Sequence, residues 1–140
     1  MGTGIALRPD SCWLPAGWVG RTAANQIVPE LVGPFAVAVR KRVEHIHAYP
    51  GAVTSFEDAS SDEVRTLYDA AVRGRASAER AGADGWERPD MFPGFLRAFD
   101  ELLAYIASDA RLSGSSDTEA AFPSSREFHV TFFSRSTGNA

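Results

Sequence analysis

Between Phe92 and Ala110 the apolar residues recur every three or four positions: Phe92, Phe95, Leu96, Phe99, Leu102, Leu103, Ile106 and Ala110. That spacing predicts a helix with one face turned to a core. Arg97, Asp100, Glu101, Ser108 and Asp109 fall on the opposite, polar face. Pro93 suits the first turn, where its missing N–H costs nothing, and Gly114 closes the segment. So apolar a stripe has to be covered, and the chain carries a matching helix just upstream. Over 60–81, Val64, Leu67, Tyr68, Ala71 and Val72 form one stripe. Ser60 and Glu63 have capping-box spacing, Asp62 and Glu63 suit the positive end of the helix dipole, and Gly82 is a stop. Helices joined by a short connection pair antiparallel, so these two are expected to form the scaffold.

The remaining segments are less periodic. In 1–20, Ile5 and Leu7 alternate with Ala6 and Arg8 until Pro9 stops the run. This predicts an irregular or short-strand opening, followed by a loop that tucks Trp13 and Trp18 onto the core. In 22–48, Val28, Leu31, Val32, Phe35, Val39, Val43 and Ile46 lie near helical spacing, but Gly33 and Pro34 interrupt it. A helix over about 34–47 is preferred to a strand in which Phe35, Val37 and Val39 would alternate. Residues 113–125 read as a Ser-, Gly- and Asp-rich loop. From Arg126 to Ser134, Phe128, Val130 and Phe132 alternate with His129, Thr131 and Phe133, the period of a strand. The last six residues read as a frayed tail. The expected architecture is α+β and predominantly helical. It has about three packed helices and a small sheet including the C-terminal strand, all in one domain of 140 residues.

The hydrophobic fraction of 44% and the aromatic fraction of 11% are those of a chain able to bury a core. Net charge is −4, unevenly spread: residues 1–55 carry five basic and three acidic side chains, the rest nine and fifteen. That balance repels nucleic acid and anionic membrane and suits a basic protein partner. Cys12 is the only cysteine, which excludes an internal disulfide and fits a reducing compartment. No signal-peptide pattern opens the chain, and no window approaches the roughly 18 apolar residues of a membrane span. A soluble, cytoplasmic protein is expected.

Motifs for chemistry are sparse. His45 and His47 form an H-x-H pair, and with His129 they could supply three zinc ligands or an acid and a base. On a helix, positions two apart point in different directions. His129-Val130-Thr131-Phe132 is similar to the H-x-T motif of two-histidine phosphoesterases, but the second copy those enzymes need is missing around His45 and His47. A small histidine-dependent hydrolase or metal-binding enzyme using these three residues is therefore the alternative reading. Cys12 has no local base, no Gly-x-Ser-x-Gly elbow is present and no glycine-rich phosphate loop follows a strand, so no cofactor or metal is expected. Arg40-Lys41-Arg42 reads as a solvated helix face.

Two other features point to binding. Glu57, Asp58, Asp62 and Glu63 put four acids in seven residues beside Phe56. The turn from Asp84 to Phe95 holds Trp86, Phe92 and Phe95 with Glu87, Asp90, two prolines and two glycines. Acids that steer and aromatics that anchor are the composition of a binder of basic surfaces. Glu57, Asp58, Trp86, Glu87, Asp90 and Phe92 are the candidate contact residues, with Trp86 and Phe92 facing either core or partner. In size, charge and this helix–turn–helix the chain resembles, as a class, the bacterial immunity proteins of polymorphic or contact-dependent toxin systems. The resemblance implies a non-catalytic cytoplasmic protein that neutralises a cognate toxin domain by occlusion. Apolar surface left uncovered would serve self-association.

Overall fold

The computed structural model describes residues 2–113. The strand expected over 126–134, the loop before it and the tail at 135–140 lie outside the described residues. Within them the fold is predominantly helical with a small sheet, as the periodicity predicts.

The sheet is built on the opening segment. β1 (Gly4–Arg8) and β2 (Ser11–Trp13) are antiparallel across a turn at Pro9 and Asp10, with Ile5 opposite Trp13 and Arg8 opposite Ser11. Alternation puts Ile5 and Leu7 on one face, where both are buried. β3 (Val53–Ser55) then pairs with β1 on its other side, in parallel, with Gly4 beside Val53 and Ala6 beside Ser55. A parallel pair needs a crossover, and α1 (Gly17–Ile27) and α2 (Ala36–Glu44) supply it.

α1 is an element that the sequence does not announce. Gly17 and Gly20 lower its propensity, and Ala16 provides no side-chain cap. It forms because Val19, Ala23, Ala24 and Ile27 bury one face against the core, and because Gly20 has no side chain. A Cβ there would lie 2.4 Å from the carbonyl oxygen of Thr3, so only glycine lets the helix approach the residue that leads into β1. α2 falls within the expected helix and continues as a 3-10 turn over His45–His47. Burial separates helix from strand here. Val39 is fully buried while Val37 is 59% exposed, yet the two would share a face in a strand.

α3 (Ser61–Ala81) is the axis of the molecule, touching α1, α2 and α4. Ser60 accepts the backbone N–H of Glu63 at 3.2 Å, which is one half of the expected capping box; the Glu63 carboxylate instead reaches Arg42 at 3.2 Å. Its buried face is Val64, Leu67, Ala70, Ala71, Gly74 and Ala78. Val72, expected on the apolar stripe, is 41% exposed. The small residues allow close packing. A Cβ on Gly74 would stand 2.6 Å from the carbonyl oxygen of Gln26 in α1.

α4 (Phe92–Ala107) runs antiparallel to α3, tied by Arg75 to Asp100 at 2.9 Å, and Arg65 of α3 donates to the carbonyl of Leu112 beyond the end of α4. Phe95, Phe99, Leu102 and Ile106 are fully buried, and so is Tyr105. The Tyr105 hydroxyl closes the hairpin from beneath: it accepts the N–H of Leu7 at 3.0 Å and donates to the carbonyl of Ser11 at 2.9 Å. Burial first, against the hydrogen bonds that oppose it, pushes the Tyr105 phenol above its usual range.

One polar knot fastens the end of α4 to the sheet. Asp109, expected on the solvent face, is instead buried, because the chain breaks at Ser108 and Asp109 before a last short helix, α5 (Ala110–Ser113). Its carboxylate takes a bidentate grip from Arg111 at 2.9 and 3.0 Å, with Arg8 at 3.4 Å. Arg111 also donates to the carbonyls of Phe56 at 2.5 Å, Ala59 at 2.9 Å and Leu7 at 2.8 Å. One side chain thus joins β1, the loop after β3 and the C-terminal turn. Burial drives the Asp109 carboxyl upward, but the Arg111 hydrogen bonds and the charges of Arg111 and Arg8 outweigh it and hold it below its usual range.

Candidate functional site: a two-tryptophan groove

The six candidate contact residues fall into two groups at opposite ends of α3. A helix of 21 residues is about 30 Å long. Glu57 and Asp58 precede its first turn, and Trp86, Glu87, Asp90 and Phe92 follow its last. Antiparallel pairing of α3 and α4 does not bring the two groups onto one face.

At the Asp58 end, Asp58 and Glu63 are answered within the chain by Arg42. Arg42 bonds Asp58 at 2.8 Å and the carbonyl of Ser55 at 3.0 Å, and its guanidinium sits 5.4 Å from the centre of the Phe56 ring. The hydrogen bond from Arg42, then its charge, lowers the Asp58 carboxyl from its usual range. Of the basic triplet, Arg40 and Lys41 are exposed, as expected of a solvated face, while Arg42 turns inward to this cluster. Glu57 is exposed, its N–H held by the Ser55 hydroxyl at 3.1 Å.

At the other end the aromatics form a continuous stack that starts in the core and finishes at the surface. Phe99 and Phe95 are buried with ring centres 5.6 Å apart. Trp86 packs on Phe95 at 5.4 Å and on Phe92 at 5.1 Å. Trp18, from the first turn of α1, meets Trp86 edge-on at 6.3 Å with the planes at 84°. Trp86 and Phe92 are both half-buried, so each faces core on one side and solvent on the other. Trp13 is core, its indole N–H held by the carbonyl of Ala98 at 3.0 Å. Trp18 also packs against the core, as expected, but is half-buried and keeps one side at the surface.

Between the two indoles lies a groove of about 370 Å³, lined by Trp18, Thr22, Trp86, Glu87, Arg88 and Met91. That volume falls within the range of small-ligand sites. Thr22 is one helical turn beyond Trp18, and its hydroxyl donates to the Trp18 carbonyl at 2.7 Å. Arg88 is engaged by Asp90 through two contacts at 3.2 and 3.0 Å, and the hydrogen bond from Arg88 lowers the Asp90 carboxyl. Among the described residues, the Glu87 carboxylate and the indole N–H groups of Trp18 and Trp86 have no partner. The groove is thus lined by two aromatic walls and one carboxylate that has no partner among the described residues.

Trp18, Thr22, Arg88 and Met91 were not among the candidates from sequence. The aromatic turn marks one wall, but only the fold shows that Trp18 is the other.

The histidines give no comparable grouping. His45 and His47 are both exposed on one 3-10 turn, with the His45 ring edge-on to Tyr49 at 5.9 Å. His129 lies outside the described residues, among which no three His, Cys, Asp or Glu side chains are grouped to hold a metal ion. Cys12 is half-buried, and burial raises its thiol, which disfavours the nucleophilic thiolate. Among the described residues no helix is long and apolar enough to cross a membrane. Comparison with protein-family models, curated proteins and solved structures finds no match to this chain.

Proposed function

We propose that this chain is a non-catalytic binding protein of the cytoplasm, an immunity protein that neutralises a cognate toxin domain by occlusion, and that the toxin docks on the Trp18–Trp86 groove. The observation carrying this reading is the aromatic stack from Phe99 to Trp18, anchored in the core at one end and open at the other. Half-exposed tryptophans fixed by packing lose little entropy on binding and are the residues that dominate interface energies. Glu87, Asp90 and Phe92 surround them and complete the contact surface.

Glu57 and Asp58 stand about 30 Å away, on the helix-length argument above. An ordinary interface covers about 800 Å² per partner, a patch about 30 Å across. A single partner reaching both ends would have to lie along the whole of α3. The groove is therefore the primary contact, and the Asp58 end lies at its margin.

The test is co-expression with the toxic domain encoded by the neighbouring reading frame. The wild-type chain should restore growth and co-purify one-to-one. Trp86→Ala should bind at least about tenfold more weakly, as expected for a central aromatic anchor, with Trp18→Phe as a milder partner variant. Joint charge reversal of Glu57 and Asp58 should change association at low salt more than final affinity. Equal protection by wild type and both tryptophan variants removes the groove from the interface. A neighbouring product that is not toxic, or is not bound, removes the immunity reading itself.

A further inference from the structure

Resting on the docking reading above, we infer that the groove captures a cationic side chain, an arginine guanidinium presented by the partner. The walls and the charge both lead there. Two indole planes at 84° form a corner, and indole is the aromatic face that attracts cations most strongly. A guanidinium is planar and weakly hydrated, so it can stack on one ring while its N–H edge points elsewhere. Glu87 is a groove-lining acid with no partner among the described residues, and a carboxylate takes that N–H edge in a charge-assisted bond. Arg88, the basic residue of the lining, is already neutralised by Asp90 at 3.0 Å and does not oppose an incoming cation. Asp84 is exposed three residues before Glu87, so the turn as a whole is acidic. An apolar anchor would use the walls but leave Glu87 facing it, close to a low-dielectric contact and unanswered, which is unfavourable.

Two-dimensional NMR of the ¹⁵N-labelled protein tests this, because each of the three tryptophans gives one indole N–H signal. Trp13, bonded to Ala98, is the internal control. The probes are acetyl-Gly-Arg-Gly-amide, its citrulline counterpart of like shape without charge, its norleucine counterpart and tetramethylammonium. The arginine peptide should shift Trp18 and Trp86 but not Trp13. Its affinity should exceed that of the citrulline peptide by about fivefold, the worth of one exposed cation–π contact. Glu87→Gln, at an exposed position, should erase much of that preference and, by removing the unanswered charge, should strengthen rather than weaken norleucine binding. Equal binding of the arginine and citrulline or norleucine peptides overturns the inference while leaving the groove as an apolar docking site. Tighter binding of tetramethylammonium than of the arginine peptide also overturns it, in favour of a free quaternary amine. If no probe moves the two indoles the inference is wrong, whereas the docking reading is decided separately by the co-expression test.

Discussion

Replacing Arg111 with methionine should be among the most damaging single changes away from the apolar core. The side chain grips Asp109 at 2.9 and 3.0 Å and supplies donors to the carbonyls of Leu7, Phe56 and Ala59. Methionine keeps the aliphatic packing and removes every donor. Asp109, only 3% exposed, would be left with Arg8 at 3.4 Å as its cation contact. Leaving one member of a buried ion pair uncompensated costs about 3–5 kcal/mol. Arg111 itself is 22% exposed, so water can reach part of the vacated site, which argues for the lower end, about 3 kcal/mol. Against a domain stability of about 5–15 kcal/mol this is a large fraction. In urea, with a slope of about 1.5 kcal/mol/M, the midpoint should fall by about 2 M. Far-ultraviolet circular dichroism and tryptophan fluorescence should report it together. The double variant Arg111→Met with Asp109→Leu removes both partners and should cost clearly less than the sum of the single variants. The wild type should also lose stability in acid. Asp109 is held below its usual range in the folded chain, so the native state binds fewer protons than the unfolded state. The contribution is full above the ordinary carboxylate range and is lost as pH falls below about 4; the double variant should lack that part of the acid limb. A cost below about 1 kcal/mol for Arg111→Met, the scale of an exposed pair, would refute the reasoning.

Tyr105→Phe should destabilise by about 1–3 kcal/mol, because it leaves the buried N–H of Leu7 without an acceptor; thermal unfolding checks this. An unchanged melting temperature would mean that water replaces the hydroxyl. Gly74→Ala should also destabilise, by about 1–3 kcal/mol, although alanine is the better helix former by about 1 kcal/mol. The reason is the 2.6 Å approach to the Gln26 carbonyl. A stabilised variant would show that α1 can move away freely.

The two scaffold helices were legible because each carries an unbroken stripe with end signals, such as Ser60 before α3 and Pro93 in α4. α1 was not, because its Gly20 serves a contact with Thr3 that exists only once the chain is folded. Tyr105 and Asp109 escaped for a related reason. A polar residue reads as solvent-facing until its partner is known, and here the partners are the hairpin backbone and Arg111. The groove was half legible: the aromatic turn stood out around Trp86, but its second wall is Trp18, 68 positions earlier in the chain.

Among the described strands, the one at the middle of the sheet is the first synthesised. β1 finds β2 within a few residues, but β3 arrives at Val53–Ser55, the hydroxyl beneath the hairpin at Tyr105 and the clamp on Leu7 at Arg111. On the ribosome, therefore, the opening strand waits for nearly the whole described chain before its hydrogen bonds are complete. Completion of the sheet waits for the segment that carries Tyr105 and Arg111 rather than for the hairpin alone. A nascent chain halted before Tyr105 leaves the N–H and the carbonyl of Leu7 without the Tyr105 and Arg111 groups that fill them in the folded chain, the condition in which strands seek other partners.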